Sequence, residues 1–282
     1  MTRFFLTLAA FAALFVSSAA VKGEDFQTLN LWPELAPGET ADAEKPFLEY
    51  WAPAEQKSDA CMIVCPGGAY MGLCVDYEGQ WIAQYFNSKG IPAVVLHYRV
   101  PRREGLPKHL PAWQDAQRCV RVVRSKAQEW GVSPDKIGIM GFSAGGHLTL
   151  MTATTSQTNS YEPVDDVDKL SCSVNFAVPV YPAYVLEDGA DGYNSNRGID
   201  SPMVGDFAFD ERTPPTCLVH GDADPVAAGG SVAVYARLRK MQIPAELHIY
   251  AGVEHGFGAK PTDDHVGDWL NRVYAWMQKL GF

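Results

Sequence analysis

Short unbroken apolar runs alternate along this chain with longer stretches whose apolar residues recur every three or four positions. The first run, Ala60-Cys61-Met62-Ile63-Val64-Cys65, is too short for a helix and too uniformly apolar for a half-exposed strand. It predicts a strand buried on both faces. Ala93–Tyr98, Lys136–Met140, Val174–Val180, Thr216–His220 and Glu246–Tyr250 read the same way. Helical patterns lie between them. Trp81, Ile82, Tyr85 and Phe86 mark one over 79–89, closed by Gly90-Ile91-Pro92. Ala116, Val120, Val123 and Ala127 form the inner stripe of a long helix over 111–130. Further helices are expected directly after Ser143, over 231–241 and over 265–280. This alternation predicts an α/β fold, a mostly parallel sheet with helices on both faces, in one domain over residues 24–282. Residues 24–58 are mixed and Pro-rich, with Leu29–Pro37 extended. Residues 155–171 are polar and acidic. Residues 183–213 are rich in Asp, Gly, Asn and Ser without a period, and read as a long excursion above the sheet.

Composition narrows the class. The chain has 282 residues, 47% of them hydrophobic and 20% charged, which suits one core and leaves little room for a second domain. A formal charge of −10 and a pI near 5.1 argue against a nucleic-acid surface and an anionic membrane partner. At the start, Arg3, the apolar run Phe4–Val16 and Ser17-Ser18-Ala19-Ala20 have the pattern of a secretory signal peptide over residues 1–20. Cleavage falls near Ala20 or Gly23, and the mature protein is expected in the periplasm or outside the cell. No later segment is apolar for long enough to span a bilayer. Among the six cysteines, Cys61, Cys65, Cys172 and Cys217 sit in buried runs, so mostly free thiols are expected. No Cys-x-x-Cys or His-rich spacing suggests a metal, and the chemistry outlined next requires no cofactor.

That chemistry centres on Gly141-Phe142-Ser143-Ala144-Gly145-Gly146-His147. An apolar strand enters Gly-x-Ser-x-Gly and a helix leaves it, the pattern of a nucleophile elbow. A serine hydroxyl is a poor nucleophile and needs a base, which in turn needs an orienting carboxylate. Both are sought at the carboxyl ends of later strands. Leu218–Val226 carries Asp222 and Asp224. Asp224 precedes Pro225, which pushes its backbone out of helix, and it is the candidate acid, with Asp222 capping the turn. The Gly-rich loop after the last strand carries His255, the candidate base. His147 is too close to Ser143 in sequence for that task, and His220 reads as structural. Negative charge on a carbonyl oxygen needs preorganised N–H donors. Ala144, just after the serine, offers one. Gly68 and Ala69, in the Pro66–Tyr70 loop after the first long buried strand, are the others, with Gly67 possible. Tyr70, with Met71 and Tyr77, is expected to line the substrate side. Glu78 reads as a carboxylate at a helix N-terminus, and Asp115 as structural.

The order Ser143, Asp224, His255 is that of the α/β hydrolases, which the chain resembles over nearly all of residues 24–282. More narrowly it resembles exported bacterial acetyl xylan esterases and xylanase-like lipase/esterases. The resemblance is carried by Leu31-Trp32-Pro33-x-x-Ala36-Pro37-Gly38, Cys65-Pro66-Gly67-Gly68-Ala69-Tyr70, Glu78-Gly79, His97-Tyr98-Arg99 and Asp115-Ala116-Gln117-Arg118. His220-Gly221-Asp222-x-Asp224 and Glu254-His255-Gly256 complete it. It implies hydrolysis of short acyl esters or deacetylation of a polysaccharide. Ala69 departs from the glycine frequent in relatives, and its methyl narrows the site. Two alternatives share the fold. Serine peptidases of the prolyl-oligopeptidase type use the same residue order, but usually behind a large propeller domain, for which too few residues precede Ala60. Non-catalytic binding proteins of this fold typically lose one of the three residues.

Overall fold

In the computed structural model, residues 26–40, 43, 45–187 and 201–282 are described. The expected signal peptide and residues 188–200 of the expected excursion lie outside them. Eight strands form one sheet among the described residues, in the order β1-β2-β4-β3-β5-β6-β7-β8. They are β1 (Phe26–Asn30), β2 (Phe47–Trp51), β3 (Cys61–Cys65), β4 (Ala93–His97), β5 (Ile137–Phe142), β6 (Phe176–Val180), β7 (Thr216–Gly221) and β8 (Ala245–Tyr250). All pairings from β4 through β8 are parallel, while β1 and β2 are antiparallel additions. The helices are α1 (Trp81–Ser88), α2 (Leu110–Lys126), α3 (Ala144–Thr154), α4 (Gly229–Lys240) and α5 (Trp269–Leu280).

β3 shows why the central runs lack alternation. Cys61, Ile63 and Cys65 enter the core on one face, beneath α2 and α3. Met62 and Val64 enter the core on the other, beneath α1 and α5. Helices cover both faces, so every position is apolar. All six cysteines are free, and burial pushes the Cys61 thiol up to about 12. No helix among the described residues is long and apolar enough to cross a membrane.

The structure adds β1 and β2 in the Pro-rich stretch whose sequence shows only mixed and extended chain. β2 is hidden by Glu49, a carboxylate in the middle of an otherwise apolar strand. Glu49 is buried and is held by His97 at 2.9 Å and by Trp51 and Gln80. The helix expected from residue 79 begins only at Trp81, after a single wide turn over Asp76–Gln80. Trp81 itself is exposed, and Ile82, Ala83 and Phe86 make the buried stripe.

The expected stripe of α2 is buried, but so are Asp115, Gln117, Arg118 and Arg121. The acidic segment 155–171 explains the arginines. Asp165 grips Arg118 with two contacts of 2.6 Å, and Asp168 adds a third at 2.9 Å. Arg121 is held by Tyr161 and Asn159. Asp115 accepts from Trp32 Nε1 at 2.8 Å and from Arg99 through its backbone N–H and Nε. Charges so deep in a protein persist only when paired and hydrogen-bonded.

Candidate active site

Four loops meet at the carboxyl edge of the parallel strands, around the point where strand order reverses beside β3. Ligands of open α/β sheets bind at such points. The first loop is the turn from β5 into α3. Ser143 has φ 52° and ψ −117°, a conformation costing about 1–3 kcal/mol for a residue with a side chain. The residues two positions before and after it must be glycine. A Cβ on Gly141 would lie 2.2 Å from the Gly145 carbonyl oxygen, and one on Gly145 would lie 2.1 Å from that of Cys65. The end of β6 holds the turn from the other side. Ser143 N–H donates to Val180 O at 3.1 Å, and Ala183 N–H donates to Ser143 O at 3.0 Å.

His255, in the loop after β8, reaches this serine. Its Nε2 lies 2.9 Å from Ser143 Oγ, and its Nδ1 lies 2.7 Å from Asp224 Oδ2. With Nδ1–H donating to the carboxylate, Nε2 is left to accept the serine proton. Asp224 is 1% exposed. Burial alone would raise its pKa, but contacts from His220 and His255 outweigh burial and hold it below the usual carboxylate value. The turn cap expected of Asp222 is made instead by Asp224, whose Oδ1 accepts from Val226 N–H at 2.7 Å. One carboxylate therefore orders its own turn and points at the imidazole. His220 is fully buried between Ser231 and Val226 O, as its structural reading requires.

The loop after β3 supplies the remaining face. Gly68 has φ 138°, and Ala69 and Tyr70 both occupy the left-handed region at φ 56° and 58°. A Cβ on Gly68 would meet Gly72 O at 2.0 Å, so that glycine is obligatory. The N–H groups of Gly68, Ala69 and Ala144 make no hydrogen bond to an acceptor among the described residues. Two expectations change here. Gly67 packs against the elbow, but its N–H donates to Glu78 Oε2 at 2.9 Å and is not free for a ligand. Tyr70 does not line an open surface. It is 1% exposed, and its hydroxyl lies 2.9 Å from His147 Nδ1. Met71 is exposed, and Tyr77 packs beneath Lys260, whose ammonium lies 4.0 Å from the ring centroid.

Glu78 and Tyr181 also belong to this site. Glu78 is buried in the Asp76–Gln80 turn, where the sequence suggested a helix-terminal carboxylate. Its Oε1 accepts from the Tyr181 hydroxyl at 2.7 Å, and that hydroxyl accepts from Gly258 N–H at 3.1 Å. The Tyr181 ring lies edge-on to His255, 4.8 Å between centroids. One carboxylate thus braces the Gly67 loop and, through Tyr181, the histidine loop. Burial pushes its pKa up, against the hydrogen bonds from Tyr181 and Gly67. The signal was the acidic residue beside Gly79, but nothing local shows that it points inward. Glu78→Gln replaces one acceptor oxygen with a donor that Tyr181 or Gly67 must face. A stability loss of about 1–3 kcal/mol is expected, with a fall in kcat larger than the change in KM. Urea unfolding and steady-state kinetics test this, and an unchanged kcat would remove Glu78 as a positioning residue.

A second polar group lies one helical turn from Ser143. His147 is fully buried, and burial lowers its pKa. His109 is pushed down to about 4, first by burial and then by His147.

A parallel sheet with this elbow defines the α/β-hydrolase class of fold. The family described as BD-FAE matches residues 48–203, and the chain belongs to it. It is 28% identical over 242 residues, 80% of the chain, to an acetylxylan esterase of Xylanibacter ruminicola. It is 26% identical over 229 residues to endo-1,4-beta-xylanase B of Butyrivibrio fibrisolvens. The chain spans less than half the length of these two relatives. Among solved structures it resembles an acetyl ester-xyloside bifunctional hydrolase from Caldicellulosiruptor lactoaceticus. The TM-score is 0.76 at 29% identity, covering 91% of this chain and 97% of that one. An esterase of Thermogutta terrifontis shares the fold at 23% identity, with a TM-score of 0.69 and 91% and 93% coverage.

Proposed function

We propose that this chain is an exported carboxylic ester hydrolase that removes short acyl groups, acetyl above all, from a carbohydrate. The hydrogen-bonded line Ser143–His255–Asp224 carries the reading. Ser143 Oγ attacks the ester carbonyl carbon while its proton passes to His255 Nε2. Asp224 keeps the imidazole in the right tautomer and stabilises its charged form. The N–H groups of Gly68, Ala69 and Ala144 receive the oxyanion, each such donor being worth about 10²–10³ in kcat. The tetrahedral intermediate collapses, the alcohol leaves with the proton from His255, and an acyl-serine remains. Water then attacks that ester, giving its proton to His255, and the acid departs as Ser143 regains its hydrogen. The chain's own residues account for every proton transfer.

Similarity to an acetylxylan esterase and to an acetyl ester-xyloside hydrolase supports the carbohydrate ester. A small acyl group suits the site, because Ala69 carries a methyl where a glycine would have none and Tyr70, next in the loop, is buried. Export rests on the apolar run Phe4–Val16 and the small residues after it. Rates on p-nitrophenyl esters are expected to be highest for acetate and to fall steadily through butyrate to octanoate. Acetate release from acetylated xylan, followed in parallel, tests the carbohydrate. An inert protein on every ester would end the reading. Hydrolysis of p-nitrophenyl acetate without release from xylan would end only its polysaccharide part.

A further inference from the structure

Outside the serine site, three metal-ligating side chains far apart in sequence converge at one place. His109 precedes the first turn of α2, His147 lies on α3, and Asp206 lies in the segment after residue 201. One ligating atom from each lies within 4.8 Å of the other two. Asp206 Oδ2 is 3.8 Å from His147 Nε2 and 3.7 Å from His109 Nδ1. Both distances are too long for hydrogen bonds. They are close to the roughly 3.3 Å between neighbouring ligands of a tetrahedral ion with bonds of about 2.0 Å.

An independent observation concerns His147 alone. Its side chain is 1% exposed, and Nε2 has no hydrogen-bond partner among the described residues. Buried ring nitrogens left unsatisfied are rare and call for an explanation. The other nitrogen of the same ring is already fixed, since Nδ1 lies 2.9 Å from the Tyr70 hydroxyl. An imidazole that ligates through one nitrogen characteristically donates from the other to an oxygen acceptor. The ring is therefore oriented as a ligand would be, with its free nitrogen toward Asp206. Phe207 and Tyr184 pack around it, 5.3 and 5.9 Å between centroids. The nearby cation, Lys108, rests its ammonium over the Tyr184 ring, 4.3 Å from the centroid.

We propose that His109, His147 and Asp206 bind one divalent transition-metal ion of the zinc class, with water completing the shell. Two imidazoles and one carboxylate suit zinc in geometry and softness, and suit magnesium or calcium poorly. The ion would clasp the segment around Asp206 to α2 and α3. It would act as a fastener beside the loop that carries Gly68 and Ala69, because Tyr70 belongs to both.

The test is calorimetric titration of the chelator-stripped protein with zinc chloride, together with thermal unfolding and the visible spectrum of added cobalt(II). One zinc per chain, a raised unfolding midpoint and a tetrahedral cobalt band are expected. His109→Gln changes the half-buried ligand and Asp206→Asn the exposed one, and both leave the fully buried His147 in place. Each should weaken zinc by at least the tenfold to hundredfold typical of losing an outer-sphere partner, about the smallest loss consistent with ligation. His248→Gln controls for the second convergent group, Cys217, Glu246 and His248, and should leave binding unchanged. No zinc uptake, unchanged affinity in both site variants, or loss in His248→Gln instead would overturn the proposal.

Discussion

Replacing Ser143 with alanine is expected to lower kcat for p-nitrophenyl acetate by about 10⁴–10⁶-fold, with the fold intact. The size follows from geometry. The Ser143 hydroxyl lies 2.9 Å from His255 Nε2, and the imidazole is already oriented by Asp224. Removing the oxygen removes the covalent path, so only the oxyanion donors and substrate binding remain. Stability should change by less than about 1 kcal/mol, because alanine meets the same backbone strain and loses one part-buried hydrogen bond. Asp224→Asn gives a graded companion, a loss of about 10⁴-fold through the wrong tautomer. Its stability falls further, since the Asp224 Oδ1 that caps the turn to Val226 is also disturbed. A Ser143→Ala protein that keeps more than about one per cent of wild-type turnover would show that the nucleophile lies elsewhere.

The second large effect is on stability. Asp115→Ala is expected to cost about 3–5 kcal/mol, the range for removing one partner of a buried ion pair. Asp115 is fully buried, and Arg99 keeps its other partners, Glu39, Gln114 and the carbonyls of Pro37 and Pro111. Without Asp115, the Arg99 Nε and backbone N–H and the Trp32 indole lose their acceptor inside the protein. Domains are stable by only about 5–15 kcal/mol, so this variant stands near the limit of folding. Asp115→Asn keeps one acceptor oxygen and should lose distinctly less. Urea unfolding of the three proteins measures both, and a loss below about 1 kcal/mol in Asp115→Ala would show that the pair carries little.

The same network shows what the sequence could and could not convey. Three of the motifs that carry the family resemblance are far apart in sequence: Leu31-Trp32-Pro33, His97-Tyr98-Arg99 and Asp115-Ala116-Gln117-Arg118. In the fold they are one object, since Trp32 and Arg99 both bind Asp115. Tyr98 between them donates to Pro66 O at 2.6 Å and so anchors the loop bearing Gly68. The central strands were legible because helices cover both faces and force apolar runs. Ser143 and His255 were legible because each follows such a run within glycines. β2 was not, because Glu49 finds its partners only after the sheet has formed. Gly67 and Tyr70 were not legible as closed groups, because adjacency in sequence to an open loop says nothing about which atoms are already engaged. Glu78 was undervalued for the converse reason, since its two partners come from residues 67 and 181.

Tyr181 gives these contacts a collective consequence. Its backbone N–H is tied to β7 through Val219 O, its hydroxyl to Glu78 and Gly258, and its ring to His255. The next residues of its chain grip the elbow through Ala183. The serine turn, the donor loop and the histidine loop therefore share one hub and cannot loosen independently. Heating should not erode this machinery piece by piece. Its parts stand or fail together, and the activity retained after heating, assayed at one fixed temperature, should hold nearly level until that edge of the sheet gives way in one cooperative step.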